Sequence, residues 1–335
     1  MDRKTQGKVE KLFRHLDEGA TLLAGKGRSY LDALIIMGES VCEGELVVSF
    51  FNEKEQQARD VVQRVIQERY HREDVRRAFQ LAVLRGFQEI KLPAGALITP
   101  DAVCLLMAHL VKRFIGEQSP LSIVDLACGS GNLLTAVLNH LSVQGAAYGL
   151  EIDPLLIRLA YINANLQQHE IQLYRQDALE RIFFPQVDVV LADLPVGEYT
   201  NSQTAQYFDL YRENEPLYVH HLMMEQALHI AQEGAYLFFL IPNGLFTERG
   251  ADRLRQLITS ESYIQALLEL PGELFQAGSL QKSIFILQKK GEGVEKPNST
   301  LLARLPHLMD REKMTQAWQD IQSWLEENKQ KGRGA

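Results

Sequence analysis

The sequence SIVDLACGSGNLL, residues 122–134, joins an apolar strand to a helix through a glycine turn. Such a unit leaves backbone N–H groups and a helix N-terminus open to a ligand, with no side chains in the way. It is neither a phosphate-binding GxxxxGK loop nor a dinucleotide GxGxxG loop, since Leu134 stands where the third glycine of the latter belongs. A glycine turn alone also fits a purely structural role, so its meaning depends on the surrounding segments.

Strand and helix patterns alternate from this turn onward. The predicted strands are 122–127, 146–152, 171–177, 187–193, 235–241, 264–270 and 281–289, and the predicted helices are 131–142, 154–168, 216–231 and 248–259. Alternation of this kind predicts an α/β protein with a parallel sheet and helices on both faces. The segment PGELFQAGSLQ (271–281) joins the last two strands without a helix, so we expect the last strand to run antiparallel.

The chain divides into three predicted parts. Residues 1–92 form a helical N-terminal domain, residues 93–290 the α/β domain, and residues 291–335 a linker and one C-terminal amphipathic helix. At the start of the α/β domain, Thr99 and Pro100 are expected to be the N-cap and the first position of a helix.

Composition and charge limit the class of protein. Of the 335 residues, 46% are hydrophobic and 23% charged, which is typical of a globular chain and excludes the disordered and collagen-like classes. Three cysteines without a CxxC pair exclude a disulfide framework and a cysteine-based zinc site. The net charge of −8 is concentrated in residues 96–290, which carry −9. Charge of that sign disfavours tight, unaided binding to duplex DNA.

The sequence also bears on location. The N-terminus MDRKTQGKVEKLF has no apolar core and is not a secretory signal. The apolar run 235–242 is less than half of the roughly 20 residues needed to cross a bilayer. We therefore expect a cytoplasmic protein with no membrane partner, and no feature indicates an oligomeric state.

An acidic residue stands at the end of four successive predicted strands, namely Asp125, Glu151, Asp177 and Asp193. The carboxyl ends of parallel strands share one edge of the sheet, where ligands bind in open α/β folds. Glu151 is placed to accept hydrogen bonds from both hydroxyls of a ribose, and Asp177 is placed to accept one from an adenine amino group. These positions predict a nucleoside-containing ligand, either NAD or S-adenosylmethionine.

The fourth strand end favours S-adenosylmethionine. The sequence Asp193-Leu194-Pro195-Val196 offers a carboxylate and a rigid turn, which suit an amino group and which a nicotinamide site does not need. If Asp193 and the carbonyl of Leu194 accept both amino hydrogens, the nitrogen lone pair turns toward the sulfonium methyl group.

Taken together, residues from about Ala96 to Lys289 resemble the adenine-specific DNA methyltransferases, nearest to the modification subunits of type I restriction systems. The matching segments are LITPDAV (97–103), DLACGSGNLL (125–134), GLEIDP (149–154), QDAL (176–179), GAYLFFLIPNGLF (234–246) and LLELPGELFQAGSLQKSIFILQKK (267–290). The resemblance implies a class I methyltransferase (Rossmann-like) fold, with a seven-stranded, mostly parallel sheet whose last strand is antiparallel. It also implies S-adenosylmethionine as cofactor and the exocyclic amino group of adenine in DNA as acceptor.

The resemblance further implies which residues form the site. The catalytic residues would be Asp193, Leu194 and Pro195, with Tyr199 as a candidate for stacking on the target base. The cofactor-binding residues would be Thr99, Asp125, Ala127, Cys128, Gly129, Ser130, Gly131, Glu151, Ile152, Asp177, Ala178 and Asp193.

The active-site turn departs from the family pattern of Asp or Asn, Pro, Pro and an aromatic residue. Leu194 replaces the first proline and Val196 replaces the aromatic residue, whose stacking on a flipped base contributes roughly 1–3 kcal/mol. Between Asp193 and the helix near Pro216 the chain is too short for a recognition domain. DNA specificity is therefore expected to come from a separate partner or to be absent.

Other functions stay open at this stage. The same fold could methylate RNA or a protein glutamine amide, and the altered turn also fits a degenerate module that binds S-adenosylmethionine without turnover. A nicotinamide oxidoreductase is a more distant alternative. His220, His221, Glu225 and His229 share a predicted helix but lack HExxH spacing, so core or surface histidines and no metal site are expected.

Overall fold

The computed structural model describes residues 3–25, 27–48, 53–90, 98–116, 121–141, 144–275 and 280–328. The helices are α1 (Arg3–Leu23), α2 (Tyr30–Glu43), α3 (Glu53–Ile66), α4 (Arg72–Glu89), α5 (Asp101–Ile115), α6 (Asn132–His140), α7 (Pro154–Leu166), α8 (Ser202–Ala205), α9 (Val219–Ile230), α10 (Ala251–Glu261) and α11 (Arg311–Glu327). The strands are β1 (Leu121–Asp125), β2 (Gln144–Glu151), β3 (Gln172–Arg175), β4 (Val187–Asp193), β5 (Ala231–Pro242), β6 (Ser262–Glu269), β7 (Lys282–Lys289) and β8 (Leu301–Arg304). The predicted domain boundary at residues 92–93 and Leu97 of the LITPDAV segment lie outside the described residues.

One sheet contains all eight strands of the described residues, in the order β3-β2-β1-β4-β5-β7-β6-β8. Strands β1 to β5 pair in parallel, and β7 runs antiparallel between β5 and β6. The predicted α/β class and the antiparallel strand are therefore confirmed. The expected number of seven strands is wrong by one. The eighth strand, β8, lies in the segment predicted to be a linker and pairs in parallel with β6. Four residues at a sheet edge bury only one face, so they give a weak sequence signal.

Apolar layers cover both faces of the sheet. Successive residues of a strand point to opposite sides, so Ile123 of β1 joins the layer under α5, α6 and α11, and Val124 joins the layer under α9 and α10. In the C-terminal helix, Ile321 and Trp324 are buried in the first layer. That helix therefore packs on the sheet. No helix in the described part of the chain is long and apolar enough to span a membrane.

The helices α1 to α4 form a third apolar cluster, which includes Leu159 and Ile162 of α7. The contact is close at Gly38 of α2, where an added Cβ would lie 2.1 Å from Cγ2 of Ile162. The helical region thus packs on the helix that follows Glu151, a predicted ribose ligand.

Helix α5 begins one residue later than predicted. Pro100 is its N-cap, without a side-chain capping bond, and the first helical residue is Asp101. The expectation that Thr99 is the N-cap is therefore wrong. The Thr99 hydroxyl instead donates to a carboxylate oxygen of Asp193, at 2.8 Å.

Candidate cofactor and acceptor site

The sheet topology brings the four strand-end acids to one edge. Strand β1 lies between β2 and β4, so the chain reverses its direction of travel across the sheet there, which opens a crevice at the carboxyl ends. Asp125, Glu151 and Asp193 end β1, β2 and β4, and Asp177 follows β3 by two residues. We call the carboxyl ends of β1, β2 and β3, with residues 127–131, the cofactor edge, and residues 193–199 the acceptor turn.

The glycine turn has the backbone shape that the sequence predicted. Gly129 and Gly131 have φ values of +55° and +77°, which favour glycine because a Cβ is strained there. Gly131 is the N-cap of α6, and an added Cβ would lie 3.4 Å from Ala160 of α7. The Cys128 N–H donates to the Leu150 carbonyl at 2.9 Å and fixes the turn to β2.

Two residues of this turn are buried and face the protein. Ser130 accepts a bond from the Asn163 side chain at its carbonyl, at 3.0 Å. The thiol of Cys128 lies beside Gly149, where an added Cβ would be 3.1 Å from the sulfur. Because both side chains are buried, this turn can offer a ligand mainly its backbone N–H groups.

Asp125 is the most enclosed of the four acids, with 1% of its surface exposed. Its Oδ1 accepts from the Ala127 N–H at 3.1 Å, and its Oδ2 is buried with no hydrogen-bond partner among the described residues. Burial, together with the charges of Asp193 and Glu151, raises the pKa of Asp125 to about 8. The ionised form of a carboxyl group in this environment is stabilised most by a cationic group of a ligand.

Glu151 is held at the mouth of the glycine turn. Its Oε2 accepts from the Gly129 N–H and its Oε1 from the Asp153 N–H, both at 2.9 Å. Burial raises the pKa of this carboxyl group. The next residue, Ile152, is 64% exposed and presents an apolar surface beside the acid.

Asp177 connects the cofactor edge to the acceptor turn. Its Oδ1 accepts from the Leu179 N–H at 2.9 Å, and its Oδ2 accepts from the Tyr199 hydroxyl at 2.8 Å. Burial raises the pKa of Tyr199 to about 12, so the phenol stays protonated and donates. Ala178 is buried beside Asp177. The stacking role of Tyr199 stays a prediction, and the bond to Asp177 is a contact that the sequence did not indicate.

Asp193 lies between two donors. Thr99 bonds to Oδ2, and Lys282 forms an ion pair with Oδ1, with side-chain exposures of 12% for Lys282 and 11% for Asp193. Lys282 reaches this edge because β7 is antiparallel and begins where its neighbour β5 ends, opposite Pro242. Sequence reasoning missed Lys282, although the predicted direction of the last strand could have located it.

The replaced positions of the acceptor turn have different surroundings. Leu194 is fully buried, and its N–H donates to the Leu240 carbonyl at 3.1 Å. Pro195 is half-buried and Val196 is 36% exposed. The side chain that replaces the first proline therefore fills the core, and the one that replaces the aromatic residue faces outward.

A buried arginine from the helical region supports both parts of the site. Arg76 of α4 is fully buried and donates to Asn132 Oδ1 at 2.6 Å, while it pairs with Glu73 and Asp101 at 2.6 Å. The Asn132 amide nitrogen lies 3.4 Å from the Thr99 carbonyl. Because Arg76 lies 56 positions before Asn132 in the sequence, no local pattern indicated this connection.

The predicted histidine helix is largely buried. His220 and His221 are buried beside Glu248, and His229 is half exposed. Glu225 is turned away to accept from the backbone N–H groups of residues 209 and 210. Glu248 follows β5 and was not connected with the histidines from the sequence.

Comparisons with known proteins identify the family and the fold. Residues 81–330 match the family model described as N-6 DNA Methylase, and residues 10–87 match the YtxK N-terminal helical domain. YtxK of Bacillus subtilis is 37% identical over 96% of this chain and 98% of its own. A solved Listeria monocytogenes protein, assigned to the class I S-adenosylmethionine-dependent methyltransferases, is 33% identical with a TM-score of 0.88, over 95% of this chain and 99% of that one.

A more distant relative is the methylase subunit of the type I restriction enzyme EcoEI of Escherichia coli. It is 24% identical over 59% of this chain, and the match spans 43% of the relative's length. The chain belongs to the N-6 DNA methylase family, and its fold is that of the S-adenosylmethionine-dependent methyltransferases.

Proposed function

We propose that this protein transfers a methyl group from S-adenosylmethionine to an amino nitrogen, and that the acceptor is the exocyclic amino group of adenine in DNA. The observation that carries the proposal is the placement of Asp193, which Thr99 and Lys282 hold beside the acidic cofactor edge. We further propose that the reaction takes place in the cytoplasm and that a separate specificity partner delivers the DNA.

The charge of the cofactor edge fits S-adenosylmethionine. Its sulfonium and ammonium groups are cationic, and the edge carries Asp125, Glu151 and Asp177, with Asp193 adjacent. The same carboxylates would repel the pyrophosphate of NAD. When bound, the cofactor supplies a methyl group made electrophilic by a positively charged sulfur.

Each part of the edge has a role in holding this cofactor. The backbone of residues 127–131 would face it without side-chain obstruction, and the unpartnered Oδ2 of Asp125 would accept from its ammonium group. Glu151 would bind the ribose hydroxyls, Asp177 the adenine amino group, and Ile152 would cover the ring. This set explains why an exposed isoleucine directly follows the half-buried Glu151.

The acceptor turn would orient the amino nitrogen. An ionised carboxylate has about four lone-pair sites, and Thr99 and Lys282 use one on each oxygen of Asp193. Asp193 can therefore still accept a hydrogen from the amino group. Asp193 would hold the amino hydrogen while the nitrogen takes the methyl group from the sulfonium, and the proton that the nitrogen then releases would pass to solvent.

Two features support a separate DNA-specificity partner. The segment between β4 and α9 has 25 residues, from 194 to 218, which is too short for a recognition domain. Residues 96–290 carry a net charge of −9, which disfavours unaided contact with phosphates.

A second candidate is a module that binds the cofactor without turnover. It is favoured by the ion pair between Lys282 and Asp193 and by the exposed Val196, because neither assists a flipped base.

The experiment is transfer of labelled methyl from S-adenosylmethionine into separated DNA, RNA and protein from cells that lack the gene, with wild type and Asp193→Ala compared. We expect N6-methyladenine in DNA from wild type only, with cofactor affinity within about threefold in both proteins. Label in RNA or protein alone would show that the acceptor is RNA or protein and not DNA. Cofactor binding without label in any fraction, also after an extract of the same cells is added to supply the partner, would select the second candidate.

A further inference from the structure

His220 and His221 in the first turn of α9 meet Glu248 from the segment between β5 and α10. His220 is fully buried, His221 is 3% exposed, and Glu248 has a side-chain exposure of 26%. One ligand atom from each of the three residues lies within 4.8 Å of the other two. Two elements that are separate in sequence thus present two imidazoles and one carboxylate to the same point.

The hydrogen bonds of this cluster leave ring nitrogens without partners. Nε2 of His220 lies 2.7 Å from Oε2 of Glu248, within hydrogen-bond distance. Nε2 of His221 lies 3.6 Å from the same oxygen, which is too long for a hydrogen bond, and it has no other partner among the described residues. A buried polar atom left unpaired costs about 1–3 kcal/mol. The nitrogen therefore points toward an unfilled interaction.

We propose that His220, His221 and Glu248 form a binding site for a divalent zinc ion. Ligand atoms about 2.0–2.2 Å from a tetrahedral zinc ion lie roughly 3.4 Å from each other. The distances from Glu248 Oε2 to His220 Nε2 and His221 Nε2, 2.7 Å and 3.6 Å, lie on either side of this value. Two imidazoles and one carboxylate suit zinc, whereas magnesium and calcium prefer oxygen ligands. The nearby guanidinium of Arg253 is paired with Glu215 at 2.6 Å, so its charge is balanced. The expectation of no metal site, made from the sequence, did not take Glu248 into account.

The site lies at the base of the acceptor turn. Tyr218 stacks on His220 with ring centroids 5.4 Å apart, and the Val219 N–H donates to the Gly197 carbonyl at 2.9 Å. The Tyr199 N–H donates to the Leu217 carbonyl at 2.7 Å. A bound zinc ion would join this paired segment to the segment that follows β5, and so would stabilise the turn. The site itself does not depend on methyl transfer.

The test uses the full-length protein after removal of metals with a chelator, titrated with zinc chloride against a chromophoric competitor. Wild type is expected to bind one zinc ion per chain and to gain thermal stability when zinc is added. Glu248→Gln and His221→Asn are expected to weaken binding at least tenfold. Glu248→Gln keeps an acceptor for His220, and its melting temperature without zinc shows whether the variant is folded.

The matched control is His229→Ala on the same helix, whose imidazole is half exposed and lies outside the cluster. It is expected to leave zinc affinity and the zinc-dependent gain in stability unchanged. The proposal is overturned if wild type binds no zinc, or if folded Glu248→Gln and His221→Asn bind it as tightly as wild type. Neither readout uses methyl transfer, so the result is independent of the proposed function.

Discussion

The cofactor edge and the acceptor turn lie side by side but are assembled differently. At the cofactor edge, each acid ends its strand or follows it by two residues, and the glycine turn is one continuous segment. At the acceptor turn, Asp193 is completed by Thr99, 94 positions earlier, and by Lys282, 89 positions later. The cofactor edge is therefore a local product of the sequence, and the acceptor turn is a product of strand order and direction.

The largest effect on stability is expected at Arg76, which supports both regions. Arg76→Ala leaves Glu73 and Asp101 without their buried partner and removes the bond to Asn132. Hydrogen bonds to charged groups contribute about 1.5–3 kcal/mol each, and Glu73 and Asp101 stay partly exposed, so the loss should be about 2–3 kcal/mol. The measurement is the free energy of unfolding in urea. Arg77→Ala, which removes a more exposed arginine near the same acids, should cost under about 1 kcal/mol, and equal losses would contradict the role given to Arg76.

Glu151→Ala should distinguish the cofactor edge from the acceptor turn in a measurement of cofactor binding alone. Charge-assisted hydrogen bonds contribute about 1.5–3 kcal/mol each, so S-adenosylmethionine affinity should fall by on the order of a hundredfold. Asp193→Ala should change it by less than about threefold, because that carboxylate is proposed to act on the acceptor. Calorimetric titration of both variants, with thermal melts to check folding, tests the difference. Similar losses of affinity would show that the division between the regions is wrong.

Asp125 gives the cofactor edge a pH dependence. Its ordinary pKa of 3.8 applies to the unfolded chain and its pKa of about 8 to the folded one, so this residue makes folding less favourable as pH rises between those values. A cationic cofactor favours the ionised form. Affinity for S-adenosylmethionine should therefore rise by about tenfold or more from pH 6 to pH 8.

The control for this pH dependence is Asp125→Asn, which has no titrating group at that position. Its affinity should vary much less over the same pH range. A wild-type affinity that stays constant, or falls, from pH 6 to pH 8 would contradict the placement of a cationic group beside Asp125.

The smallest effect concerns the pair between Lys282 and Asp193. A double-mutant cycle with Lys282→Met, Asp193→Asn and the double variant should give a coupling energy of about 1 kcal/mol in unfolding free energy. Coupling is expected because both side chains are largely buried. Additive effects of the two substitutions would mean that Lys282 does not hold the carboxylate, and would leave Thr99 as its support.

Several features could be read from the sequence because they are local. Strand β4 was predicted at its observed bounds, and α7 begins at the predicted Pro154. The antiparallel direction of β7 also followed from a short connection without an α-helix. Strand β8 was missed because it has only four residues, none of them fully buried, and its sequence LLAR does not alternate between apolar and polar side chains.

The residues missed at the site share one property, which is that their partners are remote in the chain. Arg76, Lys282 and Glu248 have ordinary surface-like sequence contexts, yet each reaches a buried partner at least 28 positions away. Hydrophobic periodicity reports which face of an element is buried, and it does not report which charged side chain another element brings to that face.

The sequence by itself determined the α/β class, the glycine turn and the four acids at the strand ends, since these follow from periodicity and from the shared edge of parallel strands. Only the tertiary structure decided what surrounds those acids. It placed two donors on Asp193, left Asp125 Oδ2 without a partner, and joined two histidines to Glu248. The physical reason is that ion pairs and hydrogen bonds depend on distances between side chains, which are fixed when separate elements pack together.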